Sequence, residues 1–260
     1  MIDLHSHLMP GVDDGARSLA EARAAVARMS EDGITRIVTT PHVDGVLTER
    51  PAVLEARLAE LDAAWAQLRD ALDPDAPRIE RGTEVKLDTP TPDLRDPRLR
   101  LGETRFVLVE FPYLGVPPRS AAVLELIVGQ GWVPVLAHPE RYDNGAVAPE
   151  LVRDWRQAGA HLQLNCGSLL GQHGPAVRRA AWRLLEEGMA DLLASDYHAR
   201  GRVTTAECRA LLEERDAADL GEMLLRVNPG RIADDESPLP VRRLEASRSG
   251  LWRRLRGVFR

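Results

Sequence analysis

The 260-residue chain reads as an α/β protein built on parallel strands, wound into a barrel or laid out as an open sheet. Short runs that are nearly continuous in Val, Ile and Leu recur along it, as strands covered on both faces require. Stretches of helical periodicity separate them, and a strand-then-helix alternation implies parallel pairing through crossover helices. Histidines and carboxylates collect where the strands end, the edge at which α/β barrels assemble their sites.

In chain order, the first strand is Asp3-Leu4-His5-Ser6-His7. A helix follows over 18–31, where Ser18 and Glu21 have capping-box spacing and Gly33 stands just past the end. The run 34–40 is the second strand and 50–72 the second helix. A further strand lies near Glu84, and the proline-rich loop 89–97 separates it from the strand 106–111. Helices over 118–130, 147–158, 175–187 and 204–226 then alternate with strands over 133–138, 161–165 and 190–196. No internal repeat is visible. Residues 234–240 (DDESPLP) have linker composition, which predicts one catalytic domain over 1–235 and a linker with a basic tail over 236–260.

Composition excludes several classes. The chain is 44% hydrophobic and 28% charged, ordinary for a globular protein and unlike a disordered one. It has no apolar run long enough to span a bilayer and no secretory signal, and its two cysteines make no disulfide framework. The expected compartment is therefore the cytoplasm. Net charge is −6, but residues 241–260 hold seven arginines against Glu245, a charge of +6 that leaves −12 on the rest. An acidic body argues against nucleic acid as a partner. Lys86 is the sole lysine, a bias of composition rather than of function.

The chemistry lies at the strand ends. His5 and His7 are two apart on an extended chain, so their imidazoles project from one face and can converge on one ion. His42 follows strand 34–40, His138 ends strand 133–138, and His198 follows strand 190–196. Asp14, Glu84, Glu110 and Asp196 hold equivalent places. Glu110 and Asp196 sit in or at the end of apolar strands, where an unpaired carboxylate is costly and a cation would compensate it. Asp3 and Asp13 are expected to orient neighbours, and His161 and His173 to be structural. Nine ligands exceed the need of one ion. With Glu84 bridging they suit two or three, and an imidazole–carboxylate set without thiolate suits Mn²⁺, Fe or Zn²⁺. Such a cluster acidifies bound water and polarises a phosphoryl oxygen, which implies phosphoester hydrolysis by metal-activated hydroxide. Covalent routes lack their residues. A cysteine phosphatase needs Arg six positions after Cys, where Cys166 has Gln172 and Cys208 has Glu214. Neither a G-x-S-x-G elbow nor a P-loop occurs.

The segments MIDLHSHLMPGVDDGARS, TPH, GTEV, VEFP, AHPERY, LNCGSL, SDYH and VNPGRI, in this order, resemble the bacterial PHP-domain protein-tyrosine phosphatases of capsule and exopolysaccharide loci. The resemblance covers about residues 1–235. It implies a distorted (β/α)7 barrel of TIM-like type, three ions that are usually manganese, and dephosphorylation of tyrosine-phosphorylated protein. It further implies that His5, His7, Glu84 and Asp196 hold one ion, that Glu84, Glu110 and His138 hold a second, and that Asp14, His42 and His198 hold a third. Arg141 in HPERY matches a phosphate-binding arginine of the family. Arg202 matches a second one across a stretch one residue shorter, which leaves Arg200 as the alternative. Guanidinium suits that role because it binds phosphate oxygens bidentately.

The family setting implies a membrane-bound tyrosine autokinase as substrate. In the tail, Leu251, Leu255, Val258 and Phe259 recur at helical spacing among arginines, a pattern that suits peripheral contact with an anionic membrane. Two other functions compete: a phosphoesterase acting on a small phosphomonoester of the histidinol phosphate kind, or a phosphodiesterase acting on nucleic acid, and a non-enzymatic regulator. The complete set of ligand positions counts against the regulator.

Overall fold

The strands form where the apolar runs stand. A computed structural model describes residues 1–244 of the chain. In it β1 (Ile2–Asp3), β2 (Arg36–Thr39) and β4 (Arg78–Arg81) make one sheet in the order β1-β2-β4. A second sheet runs β3 (His42–Asp44), β5 (Glu84–Lys86), β6 (Phe106–Glu110), β7 (Val133–Ala137), β8 (His161–Asn165) and β9 (Leu192–Ala194). Every pairing is parallel. All residues of β2 and β6 are buried, as the continuous apolar runs require.

The two sheets join along the chain. β2 passes into β3 across Thr40 and Pro41, and β4 passes into β5 across Gly82 and Thr83. Pro41 has no N–H to give a ladder, but its carbonyl accepts from the Glu84 N–H at 3.1 Å. The single strand expected near Glu84 is therefore two short ones, and β3 is an added piece. At the far edges, Ser6 forms a parallel bridge with Tyr197. The Asp196 N–H donates to the His5 carbonyl at 3.0 Å, and the His7 N–H to the Tyr197 carbonyl at 2.9 Å. The H-x-H segment thus lies between the second strand and the last.

The main helices are α1 (Leu19–Glu31), α2 (Pro51–Asp70), α3 (Ser120–Gly129), α4 (Pro149–Gln157), α5 (Cys166–Leu170) and α6 (Pro175–Glu186), followed by α7 (Thr205–Glu213), α8 (Ala218–Glu222) and α9 (Asn228–Ala233). Ser18 caps α1 by accepting from the Glu21 N–H at 3.2 Å. The reciprocal half of the capping box is not made, because the Glu21 carboxylate accepts from the N–H and guanidinium of Arg17. The expected single helix over 204–226 is also broken. Asp216 turns left-handed at φ 58°, and the Ala217 N–H closes α7 on the Leu212 carbonyl at 2.9 Å. Aspartate tolerates that conformation better than most residues.

Helix packing positions the strand ends. Tyr142 is fully buried against Phe111 and Trp155. Its hydroxyl donates to the Ala137 carbonyl at 2.7 Å and accepts from the Phe111 N–H at 3.0 Å, which ties the C-terminal ends of β6 and β7 together. Residues of the expected linker run along the body. Leu239 exchanges two hydrogen bonds with the Asn228 side chain, and the Leu244 N–H donates to the Glu186 carbonyl at 3.2 Å. No helix among the described residues is long and apolar enough to cross a membrane. The proposed amphipathic stretch 251–259 lies outside the described residues.

Candidate metal centre

Strand ends and the turns beside them bring nine donors into one place. Glu84 opens β5 and stands at the centre. Its Oε2 lies 3.1 Å from His5 Nε2, 3.4 Å from His7 Nε2 and 3.1 Å from His42 Nδ1. Its Oε1 lies 3.0 Å from His138 Nε2. Asp196 Oδ1 is 3.2 Å from His5 Nε2 and 3.4 Å from His7 Nε2. At the mouth, Asp14 Oδ1 is 3.3 Å from His198 Nε2 and 3.5 Å from His42 Nε2. The donors fall into overlapping sets: His5, His7 and Asp196; His5, Glu84 and His138; His42, Glu84 and Glu110; and His7, Asp14, His42 and His198. Within each set the donor atoms lie within 4.8 Å of one another.

Neighbouring groups turn three of these rings the same way. His5 Nδ1 is 2.8 Å from Gln163 Oε1, His7 Nδ1 is 2.9 Å from Asp13 Oδ2, and His198 Nδ1 is 2.9 Å from the Asp196 carbonyl. Each of those oxygens accepts a hydrogen bond, so each ring keeps Nδ1–H and, when neutral, presents the Nε2 lone pair inward. A second partner that fixes the tautomer in this way is the usual support of a metal-bound histidine. Asp3, fully buried, accepts from the His5 N–H at 3.0 Å and the Ser195 N–H at 3.1 Å. Gly15 has no room for a side chain, since a Cβ there would stand 2.2 Å from the His7 carbonyl oxygen. That approach carries Asp13 and Asp14 onto the H-x-H strand.

Without cations the cluster is electrostatically strained. Burial disfavours charge on His5, yet Glu84 and Asp196 prevail and raise it to about 9. Despite burial, the protonated His5 and the bonds from other imidazoles hold Glu84 well below the carboxylate range. Burial, and then the charge of Glu84, push Glu110 up to about 7. Protons are thus compensating a packed set of carboxylates, the work a metal ion does better. Glu84 Oε2 and His138 Nδ1 are buried with no hydrogen-bond partner, and a cation bridged by Glu84 would satisfy the former. Two of these donors also carry a cost in backbone conformation: His138 at φ 35° and Asp196 at φ 52° are left-handed without being glycine, at a cost of order 1 kcal/mol each. Strain of this kind persists where the surroundings over-determine it.

The family description "Capsular polysaccharide synthesis, CpsB/CapC" matches residues 1–234. The chain belongs to the CpsB/CapC family. It is 30% identical over 260 residues to the tyrosine-protein phosphatase YwqE of Bacillus subtilis, covering 94% of this chain and 97% of YwqE. It is 29% identical over 205 residues to the tyrosine-protein phosphatase CpsB of Streptococcus pneumoniae, covering 76% and 83%. A solved structure from work on YwqE and CpsB, described as unique metal-dependent tyrosine phosphatases, superposes with a TM-score of 0.73 at 26% identity, over 95% of this chain and all of the other. A lactonase from Listeria monocytogenes, at a TM-score of 0.53 and 13% identity, shares the fold alone.

In this CpsB/CapC chain the donors floor a cavity of about 430 Å³. Arg141 reaches into it, donating to Asp196 Oδ2 at 2.7 Å with its Cζ 4.6 Å from the centre of the Tyr113 ring. Arg202 is not brought to the cavity: its side chain is 76% exposed and pairs with Glu207. Arg200 instead holds the carbonyls of Asp14 and Gly15 at the back of the DDG loop. His161 pairs with Asp191, and His173 with Ser168. Sequence reasoning missed Gln163 and Asn165. The Gln163 amide donates to Asn165 Oδ1 at 2.7 Å, and the Asn165 amide to Asp196 Oδ2 at 2.9 Å. Alternate polar residues in the apolar run HLQLN were the available signal. Nothing in the pattern pointed to Tyr113, Asp44 or Lys86 as cavity residues.

Proposed function

We propose that this chain is a metal-dependent tyrosine-protein phosphatase, a phosphoric monoester hydrolase. The observation that carries the proposal is the set of imidazoles whose Nε2 lone pairs turn onto one buried carboxylate, Glu84, with Arg141 beside them. The ligands are His5, His7, Asp14, His42, Glu84, Glu110, His138, Asp196 and His198, holding two or three ions. Manganese is the proposed metal, and the donor set also suits Fe or Zn²⁺. When bound, the ions supply Lewis acidity toward a phosphoryl oxygen and lower the pKa of water.

The residues of the chain divide the remaining work. Glu84 and Glu110 keep neighbouring cation positions close together. Gln163 and Asp13 hold His5 and His7 in their binding tautomers. Arg141, fixed between Asp196 and the Tyr113 ring, takes phosphoryl oxygens and stabilises the charge that grows on them. Five carboxylates line the cavity against Arg141 and Lys86, so a phosphate would be repelled unless cations neutralised them.

The strands are proposed to be the staves of a distorted seven-stranded barrel, which the parallel Ser6–Tyr197 bridge between the segments that follow the first and last strands supports. Residues 1–235 would be the catalytic unit and 236–260 an appendage with a peripheral membrane role. The substrate is proposed to be a phosphotyrosine protein in the cytoplasm, a tyrosine autokinase that controls polysaccharide synthesis. Hydrolysis of phosphotyrosyl and phosphoseryl peptides after metal stripping and Mn²⁺ restoration tests the activity, alongside His5→Ala and His198→Ala. Metal-dependent turnover of phosphotyrosine, lost in both variants, is expected. Far faster turnover of histidinol phosphate would move the substrate to small phosphomonoesters.

A further inference from the structure

Arg141 and Lys86 face the five carboxylates of the cavity, and they are held differently. Arg141 is fixed by Asp196 and the Tyr113 ring. Lys86 is the sole lysine among the 34 basic residues of the chain. It closes β5 two residues after Glu84, so both side chains leave the same face of the strand. Lys86 therefore stands about 6–7 Å further along, toward the cavity mouth. Across the sheet it lies level with Asp44 on β3 and Glu110 on β6, and all three line the cavity. Neither carboxylate forms an ion pair with the ammonium group. Asp44 is exposed, and Glu110 instead faces His42 at 3.6 Å and His138 at 3.8 Å.

The backbone under Lys86 is pinned. The Leu87 N–H donates to the Glu110 carbonyl at 2.7 Å, and the Lys86 carbonyl accepts from the Asp88 N–H at 2.9 Å. On the other edge the Val46 N–H donates to Asp88 Oδ1 at 2.8 Å. A Cβ at Gly45 would stand 2.6 Å from the Lys86 carbonyl oxygen, so β3 and β5 close tightly at this level. The base of the side chain is thus fixed, while its four-carbon stem carries an ammonium group that has no partner to leave. With cations on Glu84 and Glu110, those carboxylates are neutralised and Lys86 remains as a positive charge at the rim. Arg202, the second cation expected from the sequence, pairs with Glu207 away from the cavity. Lys86 occupies a place that can do its work: β6 lies between β5 and β7, so Lys86 and Arg141 reach the metal centre from either side of Glu110.

We propose that Lys86 is the second phosphate-binding cation of the site, contacting a phosphoryl oxygen of the substrate across the end of β6 from Arg141. A lysine binds phosphate as a point charge, where arginine binds it as a planar fork. Lys86 then adds attraction for the dianion without restricting the orientation that Arg141 sets. The inference rests on the phosphatase reading, which brings a phosphoryl group to this cavity, and adds a residue to it.

Titration calorimetry of inorganic phosphate into the Mn²⁺-loaded full chain tests the proposal, alongside turnover of phenyl phosphate and of an acidic phosphotyrosyl peptide. Lys86→Met keeps the stem and removes the charge. It should weaken phosphate binding about 10- to 100-fold, the range for losing a hydrogen bond to a charged group. The value of kcat/KM should fall comparably on both substrates. Lys86→Arg should recover most of each loss, which separates lost charge from lost folding, and manganese content should match the parent in both variants. The proposal is overturned if Lys86→Met binds phosphate as tightly as the parent, or if the parent binds none. It is overturned equally if Lys86→Met loses manganese, which would make the lysine a part of the metal centre's own charge balance. A loss confined to the acidic peptide, with phenyl phosphate unaffected, would also overturn it and assign Lys86 to residues flanking the phosphotyrosine. If phosphate binding depends on Lys86 while neither substrate is hydrolysed, the phosphatase reading fails and the Lys86 assignment stands.

Discussion

Arg141 donates to Asp196 Oδ2 at 2.7 Å, so the cation proposed to receive phosphate is tied to a proposed metal ligand. The Asn165 amide donates to the same oxygen at 2.9 Å, and the Tyr113 ring faces the guanidinium. The arginine is therefore held in place before substrate arrives. Groups fixed in advance at the place where charge develops stabilise a transition state most.

Replacing Arg141 with alanine should lower kcat/KM on a phosphotyrosyl peptide about 100-fold or more. Metal content, measured by mass spectrometry, should be unchanged, because Arg141 offers no lone pair to an ion. Loss of metal along with activity would show that the residue acts only by holding Asp196.

Asp13 should act on the metal centre through His7. Its Oδ2 accepts from His7 Nδ1 at 2.9 Å while its Oδ1 accepts from the Gly15 N–H. Asp13→Ala should weaken Mn²⁺ binding about 10- to 100-fold, the usual effect of losing an outer partner of a ligand. Activity should return at high Mn²⁺. If saturating metal left the variant inactive, a role for Asp13 in the reaction itself would be required.

The metal-free and metal-bound proteins should respond to pH in opposite directions. In the metal-free protein His5 is raised from its ordinary 6.5 to about 9. Its stabilisation is fully present below pH 6.5 and is lost as pH rises through about 9. The melting temperature of the stripped protein should therefore fall over that interval. Metal binding needs the imidazoles deprotonated, so the stabilisation given by added Mn²⁺ should grow over the same interval. Thermal melts of both forms at pH 6.5, 8 and 9.5 check this, and parallel curves would refute it. At the acid end, Glu84 and Asp196 are held below the usual carboxylate range, so stability should also be lost as pH falls through their titration.

Gly15→Ala should destabilise the protein by about 1–3 kcal/mol in denaturant melts, the range for forcing atoms into a packed site. The added Cβ would lie 2.2 Å from the His7 oxygen, which has to move or displace the DDG loop. Because that loop carries Asp13 and Asp14, metal affinity should fall together with stability. A variant as stable as the parent, binding Mn²⁺ equally well, would refute the coupling.

The class of fold and the pool of donors were legible in the local patterns of the chain. Short apolar runs such as FVLVE and VPVLA, rich in β-branched residues, read as strands covered on both sides, and helical periodicity between them implies parallel pairing. The placement of His5, His7, His42, His138 and His198 at strand ends followed from the same pattern, because strand boundaries are local and side-chain alternation has a period of two. Local signals could not reveal which donors share an oxygen, since Glu84 meets His5 and His138 only after strands far apart in sequence become neighbours. They also could not place Arg202, which matches a motif yet turns out to pair with Glu207, or separate the broken helix at Asp216 from a continuous one. The hydrogen bonds from Gln163 to His5 and from Asp13 to His7 belong to the tertiary structure alone. A tautomer is chosen by whatever group the fold brings to the other ring nitrogen, and no sequence spacing specifies that partner.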